Sequence, residues 1–232
     1  MNRGLARWAE VMGWGAAVMV TVGMYFAFIW VPPMKGFVGG DAQRIFYFHM
    51  PIAVVALVAF SIVFVASVIY LWRRSFMVDL VALAAAEVGL VFCTLAIVTG
   101  SIWARPEWGT WWTWDPRLTT TAILWLIYVA YLILRQSIEE PERRARFAAV
   151  FGIVGFIDVP IVFMAIRWWR TIHPVVITGA ELKMDPPIML TLVTAGIGVS
   201  LLFVWLVLQR LRLATVEDEV AELRHRLGLT GD

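Results

Sequence analysis

Residues 108–119 read WGTWWTWDPRLT, and the rest of the chain is best understood from this stretch. It holds four tryptophans within seven residues, followed by an acid, a proline and an arginine. Tryptophan favours the membrane–water interface, where its ring is apolar and its N–H stays wet. One or two tryptophans there would be an anchor, whereas four so close together form an aromatic surface. Such a surface suits a flat aromatic ligand.

The sequence on both sides of this stretch is typical of a polytopic membrane protein. Of 232 residues, 61% are hydrophobic and only 16% are charged. Because a membrane-spanning helix needs about 20 mostly apolar residues, we predict an all-α fold with six transmembrane helices. They are predicted at 11–31, 51–72, 78–99, 119–134, 147–166 and 187–209. Residues 1–209 would form one membrane domain, and 210–232 a short amphipathic tail.

The distribution of basic residues predicts the orientation, because Lys and Arg concentrate in cytoplasmic loops. With the N-terminus inside, twelve of the 19 Lys and Arg residues fall in inner segments and seven in outer ones. Both termini and the tail are therefore predicted to be cytoplasmic, and the tryptophan-rich stretch to face outward. The net charge of +2 gives no indication of a nucleic-acid partner. The only cysteine, Cys93, lies in an apolar run and excludes an internal disulfide.

Two histidines are predicted on the same side as the tryptophans. His49 precedes Pro51, and proline fits the first turn of a helix, so His49 is predicted at the outer mouth of the second span. His173 follows the fifth span in an outer loop. The third histidine, His225, lies in the predicted cytoplasmic tail.

The end of the tryptophan-rich stretch is predicted to start a helix. The residue before a proline avoids the α region, and Asp is a favoured N-cap, so Asp115 is predicted to cap the fourth span with Pro116 at its first position. A positive helix end then lies beside the tryptophans and Arg117. Such an end suits an anionic group.

Haem is the ligand that matches this set of residues. Its macrocycle is flat and apolar, its iron takes one axial ligand from each face, and its propionates pair with arginine or a helix start. His49 and His173 could approach opposite faces of one ring. With both axial positions filled, the iron has no open position for oxygen chemistry, which favours a carrier or relay and no enzymatic turnover.

Two other classes of protein are compatible with these residues. A membrane cytochrome or other haem enzyme usually carries paired histidines inside its spans, and here no predicted span interior holds one. A cofactor-free structural subunit of a transporter is the other alternative. The chain has no GxxxxGK[ST] motif for nucleotide binding, no HExxH motif and no Ser–His–Asp set.

The tryptophan-rich stretch resembles the WWD signature of haem-handling proteins. With the chain length, the six spans and the two outer histidines, it resembles the CcmC family of the cytochrome c maturation system. The resemblance implies that haem b is held at the outer face of the bacterial inner membrane and passed to the periplasmic haem chaperone CcmE. It also implies the small subunit CcmD and the ABC transporter CcmAB as partners. Haem lyases of the same superfamily are larger, with further histidines at membrane depth, and this chain lacks both features.

The resemblance also implies roles for individual residues. His49 and His173 would be the axial ligands of the haem iron. The haem-binding platform would comprise Trp108, Gly109, Trp111, Trp112, Trp114, Asp115 and Arg117.

Other notable residues have plainer explanations. Trp30, Trp72 and Trp103 are single interfacial tryptophans, and we interpret them as membrane anchors. A carboxyl group at membrane depth is costly and by default a functional hypothesis. Glu87 is expected to bond a neighbouring helix. For Asp158 the hypothesis is that its side chain helps to shape the haem site.

Overall fold

The computed structural model describes residues 3–33, 38–173 and 184–227. Parts of the first and third outer loops and the end of the tail lie outside these ranges. Seven α-helices account for most of the described residues: α1 Arg3–Tyr25, α2 Phe46–Arg73, α3 Phe76–Trp108, α4 Pro116–Gln136, α5 Pro141–Gly155, α6 Asp158–Trp168 and α7 Pro186–Arg226. A π-helical turn, Phe26–Trp30, extends α1, and a 3-10 helix, Gly40–Ile45, leads directly into α2.

The prediction of six spans is confirmed, since six helical segments among the described residues are long and apolar enough to cross a membrane. Helices α1, α2, α3, α4 and α7 each contain one span, and α5 and α6 together form the fifth. We call the end of the bundle where α2 and α4 begin the outer end, because the basic residues predict that it faces outward. The orientation itself stays a prediction.

Two helices extend further toward the outer end than predicted. Helix α2 begins at Phe46, so Pro51 lies inside the helix and not in its first turn. Phe46 and Tyr47 are buried there, and this packing outweighs the backbone hydrogen bond that proline removes. Helix α3 continues through Pro106 to Trp108, nine residues beyond the predicted end at 99.

The described part of the predicted tail is helical, and the division into a membrane domain and a tail stays a prediction. Helix α7 continues from the sixth span without a break as far as Arg226. The amphipathic character predicted for the tail rests on four apolar side chains at helical spacing, and all four are exposed: Val216, Val220, Leu223 and Leu227. Their packing on a membrane or a partner stays a prediction.

The helices pack as one bundle around α2 and α3, which form an antiparallel hairpin through a tight turn with Arg74 in the left-handed region. Helix α1 packs on α7, and α4 packs on α3, α5 and α6. The main core lies between these helices, and its centre is the stacked pair Phe60 and Tyr128, with ring centroids 3.6 Å apart.

Among the described residues, two ion pairs join different helices of the bundle. Arg135 of α4 makes two hydrogen bonds to Asp79 of α3, of 2.7 and 2.6 Å, in a buried pair. Arg210 of α7 pairs with Glu87 of α3. The prediction that Glu87 bonds a neighbouring helix is therefore confirmed.

Candidate functional site

A cavity of about 620 Å³ lies between the outer halves of α2, α3, α4 and α6. Its volume falls within the range of about 300–1,000 Å³ that is usual for small-molecule and cofactor sites. One wall is a face of α3 that carries small residues at helical spacing: Cys93, Ala96, Gly100 and Ala104. Small side chains on this face leave the room that the cavity occupies.

The break between α5 and α6 opens one side of this cavity. Helix α5 packs on both α2 and α4, whereas α6 packs on α4 and makes little contact with α2. The separation follows the stacked rings of Phe64 and Phe156, whose centroids are 4.3 Å apart. Beyond this point Val58 of α2 and Phe163 of α6 line the cavity and are about half exposed. The cavity wall between α2 and α6 is therefore partly open at the surface of the bundle.

Both outer histidines line this one cavity. His49 lies in the first turn of α2, and His173 lies in the loop after α6. The ring of Trp108 lies edge-on to that of His173, with centroids 6.3 Å apart. Two imidazoles that are 124 residues apart in the sequence thus lie in the wall of the same apolar cavity.

Helix α3 positions the imidazole of His49. Its Nδ1 lies 2.9 Å from the hydroxyl oxygen of Thr99. A Cβ at Gly100 would come within 3.0 Å of His49 Cε1, so only glycine allows this close approach without displacement. Trp103, one turn further along, lies edge-on to His49 with ring centroids 6.0 Å apart.

The carboxylate of Asp115 organises the loop that carries His173. As predicted, Asp115 caps α4: its Oδ1 accepts a hydrogen bond from the Arg117 backbone N–H at 3.0 Å. The same carboxylate accepts two further hydrogen bonds: Oδ1 accepts one from the Thr171 hydroxyl at 2.8 Å, and Oδ2 accepts one from the Ile172 backbone N–H at 2.9 Å. Because Thr171 in turn accepts the backbone N–H of His173, Asp115 holds this loop against the start of α4.

The tryptophan-rich stretch is divided between the cavity and the surface. Trp108, Trp112 and Arg117 line the cavity. Trp111 and Trp114 do not, and they are 58% and 78% exposed. Contact of these two rings with haem stays a prediction.

Gly109 and Asp115 are also absent from the cavity wall, and both have local structural roles. Gly109 ends α3 in the left-handed region with φ of 75°, where a side chain would be strained, and its carbonyl accepts a hydrogen bond from the Arg105 side chain. Asp158 is buried at the start of α6 and does not line the cavity either. Contact of Gly109 and Asp115 with haem stays a prediction, and so does the role of Asp158 in shaping the haem site.

Charged groups lie near the outer mouth of the cavity. Arg117 and Arg167 line it as cations, and Glu107 lines it as an acid. The Glu107 carboxylate accepts the backbone N–H groups of Val38 and Gly39, at 3.2 and 3.0 Å, and so holds the first outer loop on the end of α3. The two guanidinium groups give the mouth a positive charge that suits an anion.

Several residues of this site were not predicted from the sequence, among them Trp103, Thr99 and Arg167. Trp103 is 8% exposed between Phe46 and His49, so its interpretation as an interfacial anchor was wrong. Arg167 was assigned only to an outer loop and Thr99 only to the end of the third predicted span. Thr99 is the last residue of the predicted span and Trp103 lies one helical turn beyond it, so their common helix face could be predicted only if α3 continued past residue 99.

The fold and the site define a class: this is a multi-pass membrane protein with a histidine- and tryptophan-lined cavity at one end of a six-span bundle. The family model of heme exporter protein C, CcmC, matches residues 2–226. The chain therefore belongs to the heme exporter protein C family.

Individual relatives agree with this membership. Heme exporter protein C of Bradyrhizobium diazoefficiens is 34% identical over 231 residues, which cover 97% of this chain and 84% of the relative. The Escherichia coli K12 protein of that name is 32% identical over 210 residues, or 88% of this chain and 84% of the relative. The Rhodobacter capsulatus protein is 36% identical over 210 residues, or 85% and 83%.

Proposed function

We propose that this protein binds haem b in the cavity at its outer end and presents it for the maturation of cytochrome c. The observation that carries the proposal is that His49 and His173, from separate elements, line one cavity. Imidazole is a common axial ligand of haem iron. The two histidines are proposed as the axial pair.

The remaining walls of the cavity fit the other parts of the ligand. Trp108, Trp112 and the small residues of α3 offer an apolar and aromatic surface for the macrocycle. Arg117 and Arg167 offer guanidinium groups, which bind carboxylates through paired hydrogen bonds, to the propionates. Haem is the cargo here, and these residues would hold it, orient it and shield it from water.

The family supports a delivery role for this site. The relatives are named heme exporter proteins, and we propose that this chain likewise hands haem on without chemical turnover. We propose the bacterial inner membrane as its location, with the cavity facing the periplasm. The proposed recipient is the chaperone CcmE, with CcmD and the ABC transporter CcmAB as partners in the complex.

Absorption spectra of the detergent-purified protein test the haem site. We expect a six-coordinate, low-spin b-type spectrum in the wild-type protein, altered spectra in His49→Ala and His173→Ala, and loss of bound haem in the double variant. His225→Ala is the matched control, because residue 225 lies near the far end of the 41-residue helix α7 and should leave the spectrum unchanged.

A second measurement separates delivery from electron transfer. On addition of purified haem-free CcmE, a carrier should lose its haem to the chaperone, whereas an electron-transfer cytochrome should keep it. A featureless spectrum in wild-type protein made with ample haem and its partners would contradict the proposal and favour a cofactor-free structural subunit.

A further inference from the structure

We infer that Thr99 is a positioning residue for His49: its hydroxyl holds the imidazole as the Nδ1–H tautomer and so leaves Nε2 as the nitrogen that ligates haem iron. This inference rests on the proposed function. It assigns a role to a residue that lies outside the tryptophan-rich stretch and acts only through the histidine.

The direction of the hydrogen bond follows from the three contacts of the Thr99 hydroxyl. Its oxygen lies 2.7 Å from the carbonyl oxygen of Leu95, one turn earlier on α3, 3.4 Å from the carbonyl oxygen of Ala96, and 2.9 Å from His49 Nδ1. A hydroxyl has one proton to donate. Both carbonyls can only accept, so Thr99 donates to the nearer one, that of Leu95, and accepts from His49. Nδ1 therefore carries the proton, and Nε2 has a free lone pair.

The geometry of α3 is matched to this arrangement. Gly100 lets the ring lie against the helix, since a Cβ there would come within 3.0 Å of His49 Cε1. Thr99, Gly100 and Trp103 thus contact the imidazole from one turn of one helix. Thr99 itself is not among the described residues that line the cavity, so its effect on a ligand there passes through His49.

Such support has a known effect on metal binding. A ligating histidine usually donates its second ring N–H to a fixed acceptor, which sets its tautomer and orientation, and loss of that acceptor typically weakens metal affinity 10- to 100-fold. We expect Thr99→Val, which keeps the shape and removes the hydroxyl, to raise the haem dissociation constant about 10-fold or more. Thr99→Ser keeps the hydroxyl and should restore the wild-type value.

Thr21→Val is the matched control for the change of residue type. Thr21 makes the same hydroxyl-to-carbonyl bond within its helix, to Ala17 at 2.8 Å, and lies on α1 away from the cavity. If loss of this helical bond were the cause, both valine variants would lose haem. Only Thr99→Val should do so.

The experiment combines haem titration with nitrogen NMR of the haem-free full-length protein. Because the chain has only three histidines, His173→Ala and His225→Ala variants assign the ring signals of His49. We expect a protonated Nδ1 in wild type and Thr99→Ser, and a shift toward the Nε2–H form in Thr99→Val, together with the change in affinity and in the spectrum of bound haem.

The outcomes separate this inference from the proposed function. Wild-type protein that binds no haem would contradict the proposed function and, with it, the inference. Wild-type protein that binds haem, while Thr99→Val keeps the same affinity and the same His49 tautomer, would overturn the inference alone.

Discussion

At the scale of single residues, each histidine of the site depends on a polar side chain from another element. The His49 ring is bonded by Thr99 of α3, and the His173 loop is bonded by Asp115 at the start of α4. Asp115 uses both carboxylate oxygens for three hydrogen bonds within the protein. Its contribution to the site is thus to hold the loop that carries His173.

Replacement of Asp115 tests this role. We expect Asp115→Ala to lose bound haem and to destabilise the protein by about 1 kcal/mol or more, since helix-cap loss alone typically costs about that much. Glu140→Ala is the control, because Glu140 accepts the Glu142 and Arg143 backbone N–H groups at the start of α5, at the opposite end of the bundle. Haem content and thermal unfolding should show stability loss in both variants and haem loss only in Asp115→Ala. Equal haem content in the two would contradict the role.

At the scale of elements, the broken fifth span gives the cavity its shape. Helix α5 approaches α2 so closely that a Cβ on Gly152 would lie 2.9 Å from the Ser67 hydroxyl. After the break at residues 156–157 the chain continues as α6 against α4. Pro160 follows in the first turn of α6, where a missing N–H is tolerated. A straight fifth helix would continue along α2 and close the side of the cavity.

Bulky substitutions on α2 test whether the cavity is the ligand site. Val58 and Val65 lie on the same helix and are similarly exposed, 47% and 52%, but only Val58 lines the cavity. We expect Val58→Trp to reduce haem content, because the added ring occupies cavity volume, and Val65→Trp to have no effect. The measurement is the haem-to-protein ratio of the purified variants. Undiminished haem in Val58→Trp would indicate a site elsewhere, on the exposed face of Trp111 and Trp114.

At the scale of the whole molecule, the two ends of the bundle differ in character. The outer end holds the cavity, its aromatic walls and two arginines. The opposite end holds the buried pair of Arg135 with Asp79, which ties α4 to α3. A charge left without its partner in such a pair is strongly destabilising. This end is therefore a fixed support, and the open space lies where a ligand would enter and leave.

The predicted orientation is tested by labelling single cysteines. Cys93 is buried in the cavity wall, and a Cys93→Ala background removes the native thiol while keeping a small side chain at that position. In that background we expect Trp114→Cys to react with a membrane-impermeant maleimide in intact spheroplasts. Glu139→Cys, in the exposed turn between α4 and α5, should react only after permeabilisation. The reverse pattern would show that the cavity faces the cytoplasm and would contradict delivery to a periplasmic chaperone.

Several features of the molecule could be predicted from local sequence. Hydropathy predicts the six spans because each must match the thickness of the bilayer by itself. The cap at Asp115 was predictable because proline and aspartate act on their own backbone neighbours. The placement of His49 and His173 at one end of the bundle follows from the order of the spans.

Other features depend on contacts between helices that are distant in sequence. Packing of Phe46, Tyr47 and Trp103 extends α2 and α3 past the boundaries that Pro51 and the end of the apolar run indicate. The folded chain places Trp108 and Trp112 in the cavity wall and leaves Trp111 and Trp114 exposed. The hydrogen bond between His49 and Thr99 joins residues that are 50 positions apart in the sequence. A one-dimensional pattern contains no measure of such distances, so only the folded bundle shows which side chains meet.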